Sequence, residues 1–442
     1  MSINPEVTPY NLWKGFQPFN PPIIICQTCE IKNKGYEARC AGRTMGEMHM
    51  SRVSASAPGK CILFGEHAVV YGQPAVAVAL EQRISVSVET LVSDSGSWKI
   101  DGMHFQAKKH PHVQALKNRM WPSSLGAPAL SIRIEGNIPA ASGLGSSAAL
   151  SVAASAALRT ARGRWFVSIN DIQNPETWAE GFSSTFETSP LYSNVSGEID
   201  SRRKMVSDPQ YLANESVISV DECALLAHSV EAIAQGGRAS PMDSSTSAHG
   251  GIVMLSDEVE QEVEYLYTRR LKIAEQERVW HLHSIELPVN ARDVYLVIGN
   301  TGVYAPTSQQ VAKVAELLES EPSRMKEIET IGLISRRGIK SLMEGDFEAV
   351  GRAMSENQIM LQSLGVSCPE LETLIRAASP SSLGAKLTGA GGGGCMVALT
   401  RHPKQTSEAI ELAGGRTLIS RLGNNGLSID NYENLPMWKP EL

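Results

Sequence analysis

Pro139-Ala140-Ala141-Ser142-Gly143-Leu144-Gly145-Ser146-Ser147-Ala148 runs out of an alternating, strand-like stretch at Leu130–Ile134 and opens an alanine-rich helical run, Ser146–Arg159. A glycine loop between a strand and a helix is an arrangement that holds anions. The glycines let the backbone approach phosphate oxygens closely, the N–H groups of the first helical turn lack partners within the helix, and the helix dipole favours negative charge there. Ser146 and Ser147 add hydroxyls. No Gly-Lys-[Ser/Thr] follows, which excludes a Walker A loop and disfavours the ordinary P-loop fold. Taken alone, the segment is equally a glycine-rich turn with a serine N-cap.

Two other segments change that balance. Upstream, Ala57-Pro58-Gly59-Lys60-Cys61-Ile62-Leu63-Phe64-Gly65-Glu66-His67-Ala68-Val69-Val70-Tyr71-Gly72 places Lys60, Glu66 and His67 among apolar residues and tight turns. Unpaired charges there are costly, so these side chains need partners or a job. Downstream, Lys386-Leu387-Thr388-Gly389-Ala390-Gly391-Gly392-Gly393-Gly394-Cys395 forms a second glycine loop. Its backbone freedom costs entropy on folding and is hard to justify by packing, so close approach to a ligand is the expected reason for Gly391 and Gly392.

In this order and at about these separations, the three segments resemble the signature motifs of the GHMP kinase superfamily, over roughly Ser54 to Leu422. The string Gly65-Glu66-His67-Ala68-Val69-Val70-Tyr71-Gly72 is similar to the mevalonate kinase family within it. The run Gln235-Gly236-Gly237-Arg238-Ala239-Ser240-Pro241-Met242-Asp243-Ser244-Ser245-Thr246-Ser247 resembles the archaeal type more than the animal enzymes. The resemblance implies an α+β, two-domain GHMP kinase fold: an N-terminal domain like ribosomal protein S5 domain 2, a ferredoxin-like C-terminal domain, and an active site between them. It implies ATP-dependent phosphorylation of the primary hydroxyl of mevalonate, with Mg²⁺.

Transferred position by position, the resemblance makes Asp243 the catalytic aspartate and Lys60 the lysine paired with it. Pro139, Ser142, Gly143, Leu144, Gly145, Ser146, Ser147 and Ala148 become the ATP loop, and Ser147 and Glu231 the Mg²⁺ ligands. Lys60, Glu66, His67, Asp243, Thr301, Gly391 and Gly392 fall at the substrate. Phosphoryl transfer asks for such a set: positioned donor and acceptor, cations to neutralise charge, and a group to manage one alcohol proton. Mg²⁺ takes hard oxygen ligands and keeps waters, which a serine hydroxyl and one glutamate provide. Each position also has an ordinary explanation. Asp243 after Pro241 suits an N-cap or Asx turn. Glu231, on a helix with a Leu226, Val230, Ile233 stripe, suits a solvated face. His67 suits a satisfied structural histidine, Thr301 a strand-end hydroxyl, and His228 a structural role. Tyr304-Ala305-Pro306 departs from the family pattern near the substrate.

The 442 residues exceed what one hydrophobic core usually serves. An apolar fraction of 42%, a charged fraction of 20% and a net charge of −7 describe a globular chain with no basic surface for nucleic acid. Cys61–Leu80, the longest apolar-looking stretch, holds Glu66, His67, Gly72 and Pro74 and is no membrane span. Sparse cysteines and the lack of a secretory signal pattern point to the cytoplasm. The expected organisation is an N-terminal extension over residues 1–50, an N-terminal domain over 51–250 with an insertion at about 163–219, and a C-terminal domain over 251–442. Oligomeric state stays open, a homodimer among the options. So does the choice among mevalonate, phosphomevalonate, homoserine or sugar kinase and a non-catalytic ligand-binding relative, because fold alone does not fix function.

Overall fold

A computed structural model describes residues 52–90, 97–120, 129–139, 142–169, 220–234, 239–273 and 276–430. The first sheet begins with β1 (Val53–Phe64), which pairs antiparallel with β2 (Ala75–Thr90). β1 is buried on nearly every residue, and its pairing slips between Pro58 and Lys60. Pro58 and Gly59 therefore form an irregularity inside a strand rather than a turn. A Cβ on Gly59 would lie 2.7 Å from the Leu144 carbonyl oxygen, so glycine there lets the first glycine loop cross directly over β1.

The chain continues through β3 (Lys99–Ile100), β4 (Met103–His104), α1 (Pro111–Met120), β5 (Leu130–Gly136) and α2 (Ser146–Ile169). Ala148, Ala149, Val152, Ala153, Ala156, Ala157 and Leu158 of α2 are all buried, as expected of a helix apolar all round. Its small side chains admit β1 and β2 on one side and α3 (Val220–Ala234) and α4 (Met242–His249) on others. Buried hydroxyls inside α2 are satisfied one turn back, Ser151 on the Ser147 carbonyl and Ser155 on the Ser151 carbonyl. The helix continues past residue 163, where the insertion was expected to begin; residues 170–219, and the N-terminal extension, lie outside the described residues.

β6 (Ile252–Ser256), β7 (Glu264–Ile273) and β8 (Gln276–Ile285) join this same sheet, in the order β4-β3-β5-β2-β6-β8-β7. Ala75 faces Leu255 and Val78 faces Ile252, so the division expected at residue 251 falls inside one hydrogen-bonded layer. The second layer starts with β9 (Tyr295–Asn300), followed by α5 (Thr307–Ser320), α6 (Met325–Glu344), α7 (Phe347–Ser363) and α8 (Pro369–Ala378). Gly345 ends α6 in the left-handed region, and Asp346 starts α7 by accepting a hydrogen bond from the Ala349 N–H at 2.9 Å. β10 (Gly384–Thr388), β11 (Cys395–Thr400), α9 (Pro403–Leu412) and β12 (Arg416–Arg421) complete an antiparallel sheet of order β10-β11-β9-β12, the ferredoxin-like order. β13 (Ser428–Asp430) then returns to β1 in the first sheet. Among the described residues no helix is long and apolar enough to cross a membrane.

Candidate active site

The two glycine loops meet at the junction of the layers. A Cβ on Gly389 would sit 3.8 Å from the Gly143 carbonyl oxygen, and one on Gly394 would sit 3.3 Å from that of Ser142. Lys60 comes up from β1 beneath the first loop. Its backbone N–H donates to the Leu144 carbonyl at 2.9 Å, and its Nζ donates to the Gly143 carbonyl at 3.0 Å. Gly145 has to be glycine here, because it has φ +73° and its Cβ would press to 2.9 Å from Lys60 Cγ.

Lys60 Nζ also lies 3.2 Å from Asp243 Oδ2. The Lys60 side chain is 4% exposed and that of Asp243 35%, so the pair is sealed at the lysine and open at the carboxylate. Asp243 occupies the first turn of α4, whose N-cap is Pro241 with no side-chain capping bond. The capping explanation for Asp243 therefore does not hold. Ser244, Ser245 and Thr246 behind it are fully buried and turn their hydroxyls to the carbonyls of Pro241 and Met242, which anchors the turn carrying Asp243.

Ser147, in the first turn of α2, donates its hydroxyl to Glu231 Oε1 at 2.7 Å. Glu231 is 3% exposed, so the solvated-face explanation also fails. Burial, and then the nearby negative charge of Asp243, push its carboxyl up to about 7, against the Ser147 hydrogen bond and the Lys60 charge. A buried carboxylate beside a hydroxyl, lacking a cation of its own, suits a small hard cation. Among the described residues no group of three or more His, Cys, Asp or Glu is placed to hold a metal ion, so an ion here would draw its remaining ligands from water and substrate oxygens.

Four of the expected residues thus come together: Lys60, Asp243, Ser147 and Glu231. Glu66, His67 and Thr301 are placed differently. Glu66 is buried in an ion pair with Lys386, and Asn357 Nδ2 donates to its other oxygen at 3.3 Å. His67 lies 2.9 Å from the Ala390 carbonyl through Nε2, and because a carbonyl only accepts, Nε2 carries the proton. Burial holds its pKa below the usual histidine range, so it is neutral at pH 7. Thr301 donates to the Gly394 carbonyl at 2.9 Å and accepts from the Val303 N–H at 3.1 Å. His228 is buried and neutral, its pKa pushed down to about 3 by burial and then by Arg269, which donates to it. Gly391 and Gly392 are tight against protein: added Cβ atoms would reach 2.1 Å from the Val366 carbonyl oxygen and 2.4 Å from Gln310 Nε2. Backbone packing and a φ of +80° therefore favour glycine at 391, and a φ of +73° favours it at 392, where the Gln310 side chain can move aside, so neither glycine needs a ligand to explain it. Lys386 and Asn357 escaped the sequence reading; the available signal was the counter-charge that Glu66 needs in an apolar setting.

Comparison with known proteins bears on most of the chain. Residues 112–171 match the GHMP kinases N terminal domain and residues 339–414 the GHMP kinases C terminal family. A mevalonate kinase of Pyrococcus abyssi is 30% identical over 408 residues, covering 86% of this chain and 98% of the relative. One from Archaeoglobus fulgidus is 33% identical over 356 residues, covering 79% and 93%. The crystal structure of L. major mevalonate kinase in complex with R-mevalonate superposes with a TM-score of 0.57 at 19% identity, over 85% of this chain and 98% of that one, and supports the fold.

Proposed function

The chain belongs to the mevalonate kinase family of the GHMP kinases, and we propose that it transfers the γ-phosphoryl group of ATP to the primary hydroxyl of mevalonate, giving 5-phosphomevalonate and ADP. The observation that carries this reading is the half-open Lys60–Asp243 pair, tied through Lys60 Nζ to the Gly143 carbonyl of the first glycine loop. ATP phosphates lie along Ser142–Ala148 at the start of α2, where free helical N–H groups and the dipole attract them. Asp243 accepts the hydroxyl proton of mevalonate. A carboxylate cannot deprotonate a primary alcohol in the ground state, so the proton moves late, as the oxygen gains its bond to phosphorus. Lys60 stabilises negative charge on the carboxylate and on the transferring phosphoryl group, and its fixed position means little reorganisation is needed.

Ser147 and Glu231 would hold Mg²⁺, which supplies charge neutralisation on the phosphates when bound. Glu231 must be ionised to do so, and the upward pull on its pKa makes that costly until a cation arrives. The cytoplasm is the compartment that goes with this reading, and a homodimer is one assembly compatible with it.

ADP formation measured with mevalonate, phosphomevalonate, homoserine and galactose side by side tests the proposal. ADP is expected with mevalonate alone. Turnover of another acceptor in its place moves the chain to another GHMP kinase activity, and no turnover of any acceptor makes it a binding protein.

A further inference from the structure

Two buried hydrogen-bond relays leave one face of β7 and end on the segment that leads into Asp243. β7 pairs with β8 until its register slips between Tyr265 and Tyr267, so Leu266 is an extra residue in the strand. The bulge breaks the in-and-out alternation. Leu266 and Tyr267 are both buried, and Arg269, two residues on, shares the inward face with Tyr267. Tyr267 begins the first relay. Its hydroxyl lies 2.7 Å from Ser245 Oγ, and Ser245 gives its one proton to the Pro241 carbonyl, so Tyr267 is the donor. Arg269 begins the second. Its Nε donates to His228 Nδ1 at 2.8 Å, which leaves the proton of the neutral ring on Nε2 to go to the Ala239 carbonyl at 3.0 Å. Its Nη2 donates to Ser229 Oγ at 2.9 Å, so Arg269 holds two successive residues of α3 shortly before Glu231.

Ala239 and Pro241 lead directly into α4, and α4 needs outside support at this end. It is eight residues long, its N-cap is Pro241, and no side-chain bond caps it. The relays fix the two carbonyls from which the turn carrying Asp243 is built. At the other end of α4, His249 lies 3.1 Å from Asp221 of α3 and its ring sits 5.7 Å from that of Tyr267, so the same tyrosine meets both ends of the helix. A buried guanidinium costs desolvation that an apolar side chain of similar volume avoids, so packing alone does not call for arginine at 269. We propose that Tyr267 and Arg269 are positioning residues for phosphoryl transfer: acting through α4 and α3, they set the proton-accepting Asp243 against the cation-holding Glu231. This rests on the kinase reading above. Spacing matters because a reacting group displaced by about 1 Å can cost about a hundredfold in rate.

The test compares the full-length enzyme with Tyr267→Phe, Ser245→Ala, their double variant, and Tyr265→Phe. Tyr265 is the matched control, because its hydroxyl meets Thr268 of its own strand and neither helix. For Tyr267→Phe, kcat should fall by about fivefold to twentyfold with both KM values within about twofold of wild type. The double variant should lose no more than Ser245→Ala alone, since the tyrosine acts through that serine. Tyr265→Phe should keep the wild-type kcat. Arg269→Lys retains the charge but cannot donate to His228 and Ser229 together, so the Mg²⁺ concentration for half-maximal rate should rise by about threefold or more. If that variant does not fold, Ser229→Ala removes one of the two acceptors and is read the same way. In metal-free protein, backbone hydrogen exchange should quicken over 241–247 in Tyr267→Phe and over 228–233 in Arg269→Lys.

A wild-type kcat in Tyr267→Phe, or an equal loss in Tyr265→Phe, would overturn the role of Tyr267. So would losses that multiply in the double variant. An unchanged Mg²⁺ titration in the position 269 or 229 variant would overturn the role of Arg269. Wild-type enzyme that makes no ADP from mevalonate would sink the kinase reading instead, and hydrogen exchange over the same two segments would still decide whether β7 holds the helices.

Discussion

Lys60 and Glu66 stand six residues apart in one stretch, and each forms a lysine–carboxylate pair, yet the two pairs differ in access to water. Lys386 and Glu66 have side chains 0% and 1% exposed, whereas Asp243 keeps 35% of its side chain open opposite a buried Lys60. In the sealed pair every charge faces protein: Glu66 meets Lys386 and Asn357, and Lys386 also donates to the Leu387 carbonyl. In the open pair the lysine is fixed and the carboxylate is reachable. Both pairs cost desolvation, but only the second leaves a basic oxygen where an alcohol can arrive. Exposure of the carboxylate, more than the presence of an ion pair, separates a chemical site from a structural one.

The largest expected effect breaks the open side. Asp243→Asn keeps an acceptor for Lys60 Nζ and removes the proposed base, so kcat should drop by about 10²- to 10⁴-fold. Thermal unfolding should move less than on breaking the sealed pair, since Asp243 is about a third exposed and the asparagine oxygen still accepts from the buried Lys60 Nζ. Steady-state kinetics beside a melting curve checks both halves. A large loss of stability with modest loss of rate would erase the contrast between the pairs.

The sealed side should respond the other way. Lys386→Met leaves Glu66 buried without its cation, and breaking a buried pair from one side typically costs about 3–5 kcal/mol. Urea unfolding of wild type and variant measures it. A cost below about 1 kcal/mol would mean that water reaches Glu66, placing it with the exposed pairs.

Much of the open side was legible in the sequence because its parts are local motifs. The glycine loop, its serines and Lys60 lie in short segments whose chemistry can be read without knowing the fold, and α2 begins at Ser146 as its composition suggests. The sealed side was not, because Glu66 and Lys386 are 320 positions apart and only tertiary pairing brings a charge in one segment to its partner in the other. The same reason hid the layer boundary: β6 reads as an ordinary buried strand, and nothing local says that Ile252 will pair with Val78 rather than open a new sheet. β1 was obscured by Pro58 and Gly59, which mimic a turn until the Leu144 carbonyl explains why the strand tolerates them. The glycines at 391 and 392 were legible as positions needing no side chain, while the occupant of the space, Val366 and Gln310, was not.

The smallest of the three effects sharpens the comparison on the open side, where Glu231 is a second buried carboxylate without a lysine of its own. Burial first, and Asp243 second, raise its pKa from 4.5 to about 7. A carboxyl whose folded pKa lies above its unfolded value favours the folded state fully below about pH 4.5, and that contribution is lost as pH rises through 7. The span of the shift corresponds to about 3 kcal/mol. Glu231→Gln mimics the protonated acid and keeps an acceptor for the Ser147 hydroxyl, so it removes the titration and little else. Measured in metal-free protein with a chelator present, the variant should be more stable than wild type at pH 8.5 by about 3 kcal/mol, and the difference should shrink to below about 1 kcal/mol at pH 5. Added Mg²⁺ should narrow the gap at pH 8.5 by stabilising wild type alone, because a bound cation favours the ionised glutamate. A difference that does not vary with pH would mean that Glu231 is already ionised in the folded protein at pH 5, held by a positive charge or water that opens this pocket as widely as the one around Asp243.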